Sequence, residues 1–143
     1  MRKNHYAVFG MGSFGAKLAV ELSRAGNTVL IVDVDRQRVD DLRDKVTEAV
    51  IADVSNGEVI RELGVSKFDA VILGMSSHFE DQVLALTLLK QEGARRVIAK
   101  ATTAIQERIL FRLGADEVIQ PEQDVAERLA RRLTLDNISD LFD

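Results

Sequence analysis

The sequence predicts an α/β fold, a doubly wound parallel sheet of six strands with helices on both faces. The first observation is that short apolar runs alternate with longer stretches of helical spacing, as expected when helices cover both faces of a parallel sheet. The second is the motif GMGSFG, which follows the first apolar run directly and has G-x-G-x-x-G spacing. Together they predict a Rossmann-like single domain.

Six apolar runs are the strand candidates, the number found in a full sheet of this class. Parallel strands bring their carboxyl ends to one edge of the sheet, and ligands bind there at the point where the strand order reverses. The predicted strands are Tyr6–Phe9, Thr28–Val32, Ala49–Ile51, Ala70–Leu73, Arg96–Ala99 and Glu117–Ile119.

Helix signals lie between these runs. Residues Ala16–Arg24 carry apolar side chains on one face and are followed by Gly26 as a stop. Three capping-box patterns, each closed by a glycine, predict the later helices at Ser55–Gly64, Ser77–Gly93 and Thr103–Gly114. Pro121 suits the first position of a last helix.

The final ten residues form a separate unit in this prediction. Residues 1–133 make up the Rossmann-like domain, and residues 134–143, TLDNISDLFD, make up an amphipathic tail that begins a C-terminal crossover helix. A helix this short is marginal in water unless it docks. Either the tail folds back on its own domain, or it buries Leu141 and Phe142 on a second subunit or a further domain.

Composition excludes several classes of function. The 143 residues are 46% hydrophobic and 29% charged, which suits one soluble domain. No cysteine is present and only two histidines are, which excludes thiolate chemistry and a histidine-rich zinc site. A net charge of −4 argues against nonspecific nucleic-acid binding. Because no apolar run approaches about 20 residues and no secretory signal is visible, we expect a cytoplasmic protein.

The glycine motif predicts a phosphate-binding turn. Gly10 permits the tight turn, Gly12 lets phosphates approach the backbone, and Gly15 lets the helix pack against the strand. The free N–H groups of that helix N-terminus favour an anion.

Acidic residues end the next two strands. Asp33 lies where a carboxylate accepts hydrogen bonds from ribose hydroxyls, and it disfavours NADP because it would repel a 2′-phosphate. Asp35 is predicted to cap the next helix. Asp53 either accepts from an adenine amino group or is a solvated acid beside Ser55.

Residues at the ends of the fourth and fifth strands lie on the same edge. Gly74, Met75 and Ser76 end the fourth strand, and Met75 packs either on the ligand or in the core. Lys100 ends the fifth strand, where it contacts phosphate or a partner, or is an ordinary exposed lysine. Glu122 follows Pro121 at a helix start, where an acid is also favoured by the helix dipole alone.

The sequence offers little for catalysis. His78 is predicted to be solvated in the first turn of a helix, no Tyr-x-x-x-Lys pair exists, and the sheet uses the chain to about Leu133, which leaves no substrate domain. We therefore expect no enzyme: the nucleotide is bound and sensed.

The order GMGSFG, IVDVD, IADVS, VIAKA, LGADEVIQPE and an amphipathic tail resembles the RCK (regulator of potassium conductance) N-terminal domain. In particular it resembles the TrkA/KtrA-type cytoplasmic regulatory subunits of bacterial potassium uptake systems. The resemblance covers essentially the whole chain. Its most specific pieces are Leu113–Glu122 and the VIAKA strand.

The resemblance implies a switch that binds NAD(H) or ATP/ADP, together with a divalent cation, and that gates a membrane potassium-translocating subunit. It implies a homodimer that assembles into a higher ring, an octamer in the full-length protein, at the inner membrane. By position, Glu122 would stand near the terminal phosphate or ligate the metal at the dimer interface. The cofactor-binding residues that follow from motif and resemblance are Gly10, Met11, Gly12, Ser13, Phe14, Gly15, Asp33, Val34, Asp53, Val54, Gly74, Met75, Lys100 and Glu122.

The chain departs from the family pattern in two ways. Several nucleotide-gated relatives have arginine where this chain has Ser13, so discrimination between ATP and ADP is in doubt. The family also usually continues into a smaller C-terminal domain. Two other functions stay open: the cofactor-binding half of an NAD-dependent oxidoreductase, and a scaffold that holds nucleotide as a structural cofactor.

Overall fold

The computed structural model describes residues 3–75 and 78–142, with side chains as far as Asn137. Strands and helices alternate along the chain, as predicted. The elements are β1 (His5–Phe9), α1 (Ser13–Arg24), β2 (Thr28–Asp33), α2 (Arg36–Leu42), β3 (Glu48–Ile51), α3 (Gly57–Leu63), β4 (Ala70–Leu73), α4 (Phe79–Gln91), β5 (Val97–Lys100), α5 (Ala104–Arg112), β6 (Glu117–Ile119) and α6 (Pro121–Phe142), with 3₁₀ turns at Arg43–Lys45 and Val65–Lys67.

The six strands form one parallel sheet in the order β3-β2-β1-β4-β5-β6. Phe9 pairs with Val32 on one side and with Leu73 on the other, so the carboxyl ends of β1, β2 and β4 are level. The strand order reverses between β1 and β4, which opens a crevice at this edge. The predicted doubly wound fold is confirmed.

Helices cover both faces of the sheet. On one face, side chains of β1, β2, β4 and β5 pack against α3, α4 and α5, with Ile60, Leu86 and Leu110 fully buried. On the other face, Val8, Ile31 and their neighbours pack against α1 and the end of α2. The central strands are buried on both sides, which explains why they appear in the sequence as unbroken apolar runs.

Two predicted helix starts need correction or fall outside the described residues. The cap of α3 is Asn56, whose side chain accepts from the Glu58 N–H, while the Ser55 hydroxyl donates to Asp53 and does not cap the helix. At α5 the predicted cap is confirmed: the Thr103 hydroxyl accepts from the Gln106 N–H. Ser77, the predicted cap of α4, lies outside the described residues, and α4 begins at Phe79.

The last helix and the predicted tail are one element. Helix α6 runs from Pro121 to Phe142 without a break at Leu133. Every described side chain from Glu122 to Asn137 is exposed, including Leu135 at 58%. This part of the chain does not fold back on its own domain. The predicted burial of Leu141 and Phe142 lies outside the described side chains.

Candidate functional site

Two of the motif glycines are required by packing. Gly10 has φ of +92°, and a Cβ there would lie 2.8 Å from the Met75 backbone nitrogen. A Cβ on Gly15 would lie 1.9 Å from the Gly10 carbonyl oxygen. The turn between β1 and α1 is therefore pressed against both its own helix and the end of β4, and a side chain at either position would force them apart.

Gly12 differs, because a Cβ at this position would meet nothing within 4 Å. It occupies the N-cap position of α1, which has no side-chain cap and no acidic residue in its first turn. The helix therefore presents backbone N–H groups and its positive dipole end without competition from a carboxylate. Free N–H groups at a helix N-terminus are the kind of donors that an anion such as a phosphate can satisfy.

Asp33 ties the end of β2 to the glycine turn. Its Oδ2 accepts from the Met11 N–H at 2.6 Å, and its Oδ1 accepts from the Asp35 N–H at 2.8 Å. A carboxylate has about four acceptor sites. Two hydrogen bonds to the backbone therefore leave acceptor capacity for the two hydroxyls of a ribose.

The start of α2 forms one wall of the crevice. Asp35 caps this helix, as predicted, by accepting from the N–H groups of Gln37 and Arg38. The Arg38 guanidinium lies 3.9 Å from the other Asp35 oxygen. Val34 is exposed and lines the same crevice, where it offers an apolar surface to a planar base.

Asp53 is held by its neighbour. Its Oδ1 accepts from both the hydroxyl (2.7 Å) and the backbone N–H (2.9 Å) of Ser55. These two hydrogen bonds lower the pKa of Asp53 below its ordinary value, because they favour the charged form. The carboxylate is consequently ionised at neutral pH and able to accept from an amino group.

The end of β4 forms the floor of the crevice, opposite the wall formed by the start of α2. The Gly74 N–H donates to the Phe9 carbonyl at 2.7 Å, and a Cβ on Gly74 would lie 3.1 Å from the Gly10 oxygen. Met75 packs against the core, as one of its two predicted roles required, and it also lines the crevice. Beyond it, His78 and Asp81 line the crevice from the start of α4. Ser76 lies outside the described residues.

Lys100 reaches the crevice from the end of β5. Its ammonium lies 5.5 Å from the centroid of the Phe14 ring, within cation–π range. Its backbone carbonyl accepts at 2.7 Å from the side-chain amide of Gln82, which is fully buried in α4. A hydrogen bond from a buried side chain thus links the carboxyl end of β5 to the first turns of α4.

These elements enclose a cavity of about 480 Å³, within the range of small-molecule sites. Most predicted site residues line it. Met11 and Gly15 support it from buried positions, and Glu122 is not among the lining residues. Prediction missed Arg38 and Asp81 as lining residues, although both lie in the first turn of a helix that follows a ligand-edge strand. The cavity is lined by Gly10, Gly12, Ser13, Phe14, Val32, Asp33, Val34, Asp35, Arg38, Ala52, Asp53, Val54, Gly74, Met75, His78, Asp81 and Lys100.

The described residues contain neither a cluster of metal ligands nor a membrane-spanning helix. Over residues 3–75 and 78–142, no three or more His, Asp or Glu side chains converge as metal ligands would, around Glu122 or elsewhere. None of the helices in this part of the chain combines the length and hydropathy needed to cross a bilayer.

Comparison with known proteins gives one family. The TrkA-N domain model matches residues 6–121. The chain is 31% identical over 141 residues to the Ktr system potassium uptake protein C of Bacillus subtilis, covering 99% of this chain and 64% of that protein. It is 34% identical over 128 residues to the Ktr system potassium uptake protein A of Vibrio alginolyticus, covering 90% and 58%. The chain thus spans about three fifths of these relatives.

Solved structures agree with the fold. The NAD(P)-binding domain of an exopolyphosphatase-related protein from Archaeoglobus fulgidus superposes with a TM-score of 0.81 at 25% identity, covering 92% of this chain and 98% of that one. The C-terminal domain of Kef from Shewanella denitrificans in its AMP-bound form gives 0.74 at 19% identity, covering 97% and 91%. The GsuK channel bound to NAD gives 0.71 at 16% identity, covering 82% and 21%.

Proposed function

The chain belongs to the TrkA-N domain family, and we propose that it is a nucleotide-binding regulatory subunit that gates a membrane potassium transporter or channel. In this proposal the signal is an adenine nucleotide, NAD(H) or ATP/ADP. The observation that carries it is the cavity at the strand-order reversal, where an uncapped helix N-terminus lies beside a strand-end carboxylate.

The relatives supply the physiological setting of the proposal. The similar proteins from Bacillus subtilis and Vibrio alginolyticus belong to potassium uptake systems, and neighbours of the same fold are seen with NAD, ADP and AMP. By extension, this chain acts at the cytoplasmic face of a membrane subunit that contains the pore. Its role is binding and signalling, and it carries out no reaction.

In this proposal each part of the nucleotide has its own place in the site. The N–H groups above Gly12 hold the phosphates, the free acceptor sites of Asp33 take the ribose hydroxyls, and ionised Asp53 accepts from the adenine amino group. The exposed face of Val34 supports the base, and Lys100 lies on the phosphate side. Glu122 lies outside this set, so its contact to a phosphate or a divalent cation requires a second subunit.

In this proposal, the effect of nucleotide binding reaches the membrane subunit through the assembly of several copies of this chain. Val125, Leu129 and Leu133 repeat at four-residue intervals along α6 and are all exposed, a spacing that places them on one face. We place a homodimer contact there, with higher rings built from dimers. Nucleotides shift the angle between docked domains only if their affinities for the two arrangements differ.

A thermal-shift panel of NAD, NADH, NADP, ATP, ADP and AMP tests the binding part of the proposal. A ligand specific for the folded state stabilises it by RT ln(1 + [L]/Kd), about 2.7 kcal/mol at a hundredfold excess over Kd. We expect shifts with several adenine nucleotides and none with NADP. Failure of every nucleotide to raise the melting temperature of the wild-type chain would refute the function.

The competing function is the cofactor-binding half of an NAD-dependent oxidoreductase. It is retained because the imidazole of His78 lines the cavity beyond Gly74. This function predicts hydride transfer in the presence of a substrate-binding domain. It also predicts that only NAD and NADH raise the melting temperature. Flux of potassium through liposomes that contain the membrane subunit separates the two functions, since only the regulator makes flux depend on nucleotide.

A further inference from the structure

The cavity is negatively charged although its proposed ligands are anions. Its lining includes four carboxylates, Asp33, Asp35, Asp53 and Asp81, against the basic side chains of Arg38 and Lys100 and the imidazole of His78. A carboxylate close to a phosphate costs binding energy unless a cation separates them. The balance of charge in the lining therefore bears on which nucleotide fits.

Three of the four carboxylates lie at the end of the cavity nearest β2 and β3, and each already accepts hydrogen bonds from neighbouring protein groups. Asp33 accepts from two backbone N–H groups, Asp35 caps α2, and Asp53 accepts from Ser55. Asp81 is different: within the described part of the chain, no hydrogen bond or ion pair engages its carboxylate. Its side chain is exposed and lines the cavity.

Asp81 belongs to the half of the cavity across from Asp33. The next residue, Gln82, is buried, and its amide donates to the Lys100 carbonyl, which holds the start of α4 against the end of β5. Asp81 and Lys100 thus face the same half of the cavity. The Lys100 ammonium lies over the Phe14 ring, and Ser13 contributes no positive charge beside it.

A ligand group in this half meets the Asp81 carboxylate, Lys100 and His78. A terminal phosphate carries about −1.5 to −2 charge at pH 7 and only accepts hydrogen bonds, so Asp81 repels it. A second ribose instead offers hydroxyl donors to Asp81. An oxidised nicotinamide ring adds positive charge.

We propose that this half of the cavity takes the nicotinamide riboside part of NAD in preference to the terminal phosphates of ATP, and that Asp81 sets this preference. The proposal rests on the proposed function, because it requires that adenine nucleotides bind in the cavity at all. It assigns the signal to the NAD pool, with the oxidised form bound more tightly than the reduced form.

Calorimetry on Asp81→Asn tests the proposal, with Glu80→Gln as the matched control. Glu80 is an exposed acid in the same first turn of α4 and does not line the cavity, so both changes remove the same interaction with the helix dipole. Binding of NAD, NADH and ATP is measured at low salt with a chelator that removes divalent cations.

We expect wild type to bind NAD more tightly than NADH or ATP. Asp81→Asn should shift the ratio of the ATP and NAD dissociation constants at least fivefold towards ATP, as loss of one unit charge at close range predicts. The shift should shrink in high salt, and Glu80→Gln should leave the ratio unchanged. Tighter binding of ATP than of NAD by wild type, or equal shifts in the two variants, overturns the proposal alone. Absence of binding by every nucleotide overturns the proposed function with it.

Discussion

The carboxylate of Asp33 accepts a hydrogen bond of 2.6 Å from the backbone N–H of Met11, twenty-two residues earlier in the chain. The bond joins the end of β2 to the middle of the glycine turn. The residue proposed to hold the ribose therefore also fixes the loop proposed to hold the phosphates. Under this assignment, ligand binding and loop geometry would depend on the same side chain.

Asp33→Ala should weaken binding of every adenine nucleotide by tenfold or more, because both the ribose acceptor and the anchor of the turn are lost. Two backbone N–H groups lose their partner, so the free energy of unfolding should fall by about 1–3 kcal/mol. Calorimetry and thermal unfolding measure the two effects. Asn56→Ala is the control: loss of the α3 cap costs about 1 kcal/mol and should leave affinity unchanged. Wild-type affinity in Asp33→Ala would disprove the ribose assignment.

The glycines of the turn should separate stability from binding. Gly12→Ala places a methyl in open space at φ of −71°, so the free energy of unfolding should change by less than about 0.5 kcal/mol. Nucleotide affinity should nevertheless fall at least tenfold, because the methyl occupies the space proposed for the phosphates. Gly15→Ala drives a methyl into the Gly10 carbonyl, so it should unfold the domain or destabilise it by several kcal/mol. Circular dichroism with thermal melts, followed by calorimetry, checks both. Unchanged affinity in Gly12→Ala would mean that phosphates do not approach the turn there.

Much of the fold could be predicted because its signals are local. Strands buried on both faces leave continuous apolar runs, and the turn glycines mark where β1 meets α1. The cap of α3 was missed because Ser55 and Asn56 are both good caps and adjacent in the sequence, so the residue pattern alone does not decide between them. Asp81 was missed because an acid in the first turn of a helix is explained equally well by the helix dipole.

The pKa of Asp53 should lie below its ordinary value of 3.8 and rise towards it in Ser55→Ala, because the two Ser55 hydrogen bonds favour the charged carboxylate. A depressed pKa contributes stability above the unfolded value, and this contribution is lost as the pH falls through the folded value. The contribution is small, since the group is exposed. Carboxylate NMR titration measures the shift. An unchanged titration in Ser55→Ala would show that the serine does not hold the acid.

Lys100→Met should keep the packing on Phe14 while removing the charge, so nucleotides with two or more phosphates should bind several-fold more weakly. The dependence of affinity on salt should become shallower. Lys45→Met, an exposed lysine away from the cavity, is the comparison variant. Equal effects of the two changes would assign Lys100 a general electrostatic role only.

Leu129→Glu together with Leu133→Glu should abolish self-association through α6, because charges on the exposed apolar face oppose burial. Sedimentation velocity gives the oligomeric state of this chain, and calorimetry should show unchanged nucleotide affinity per subunit. Arg131→Glu, also exposed on α6 but outside the apolar repeat, is the matched control. A wild-type chain that sediments as a monomer at all concentrations would contradict a dimer contact on this helix.

Helix α6 also has mechanical leverage. Its 22 residues extend about 33 Å at 1.5 Å per residue. It starts at Pro121, two residues after β6, the strand that pairs with the strand carrying Lys100. A tilt of about 10° at that root would displace the far end of a rod of this length by about 6 Å. In the proposed function, a small tilt of this kind on ligand binding at the sheet edge would be enough to move a neighbouring protein.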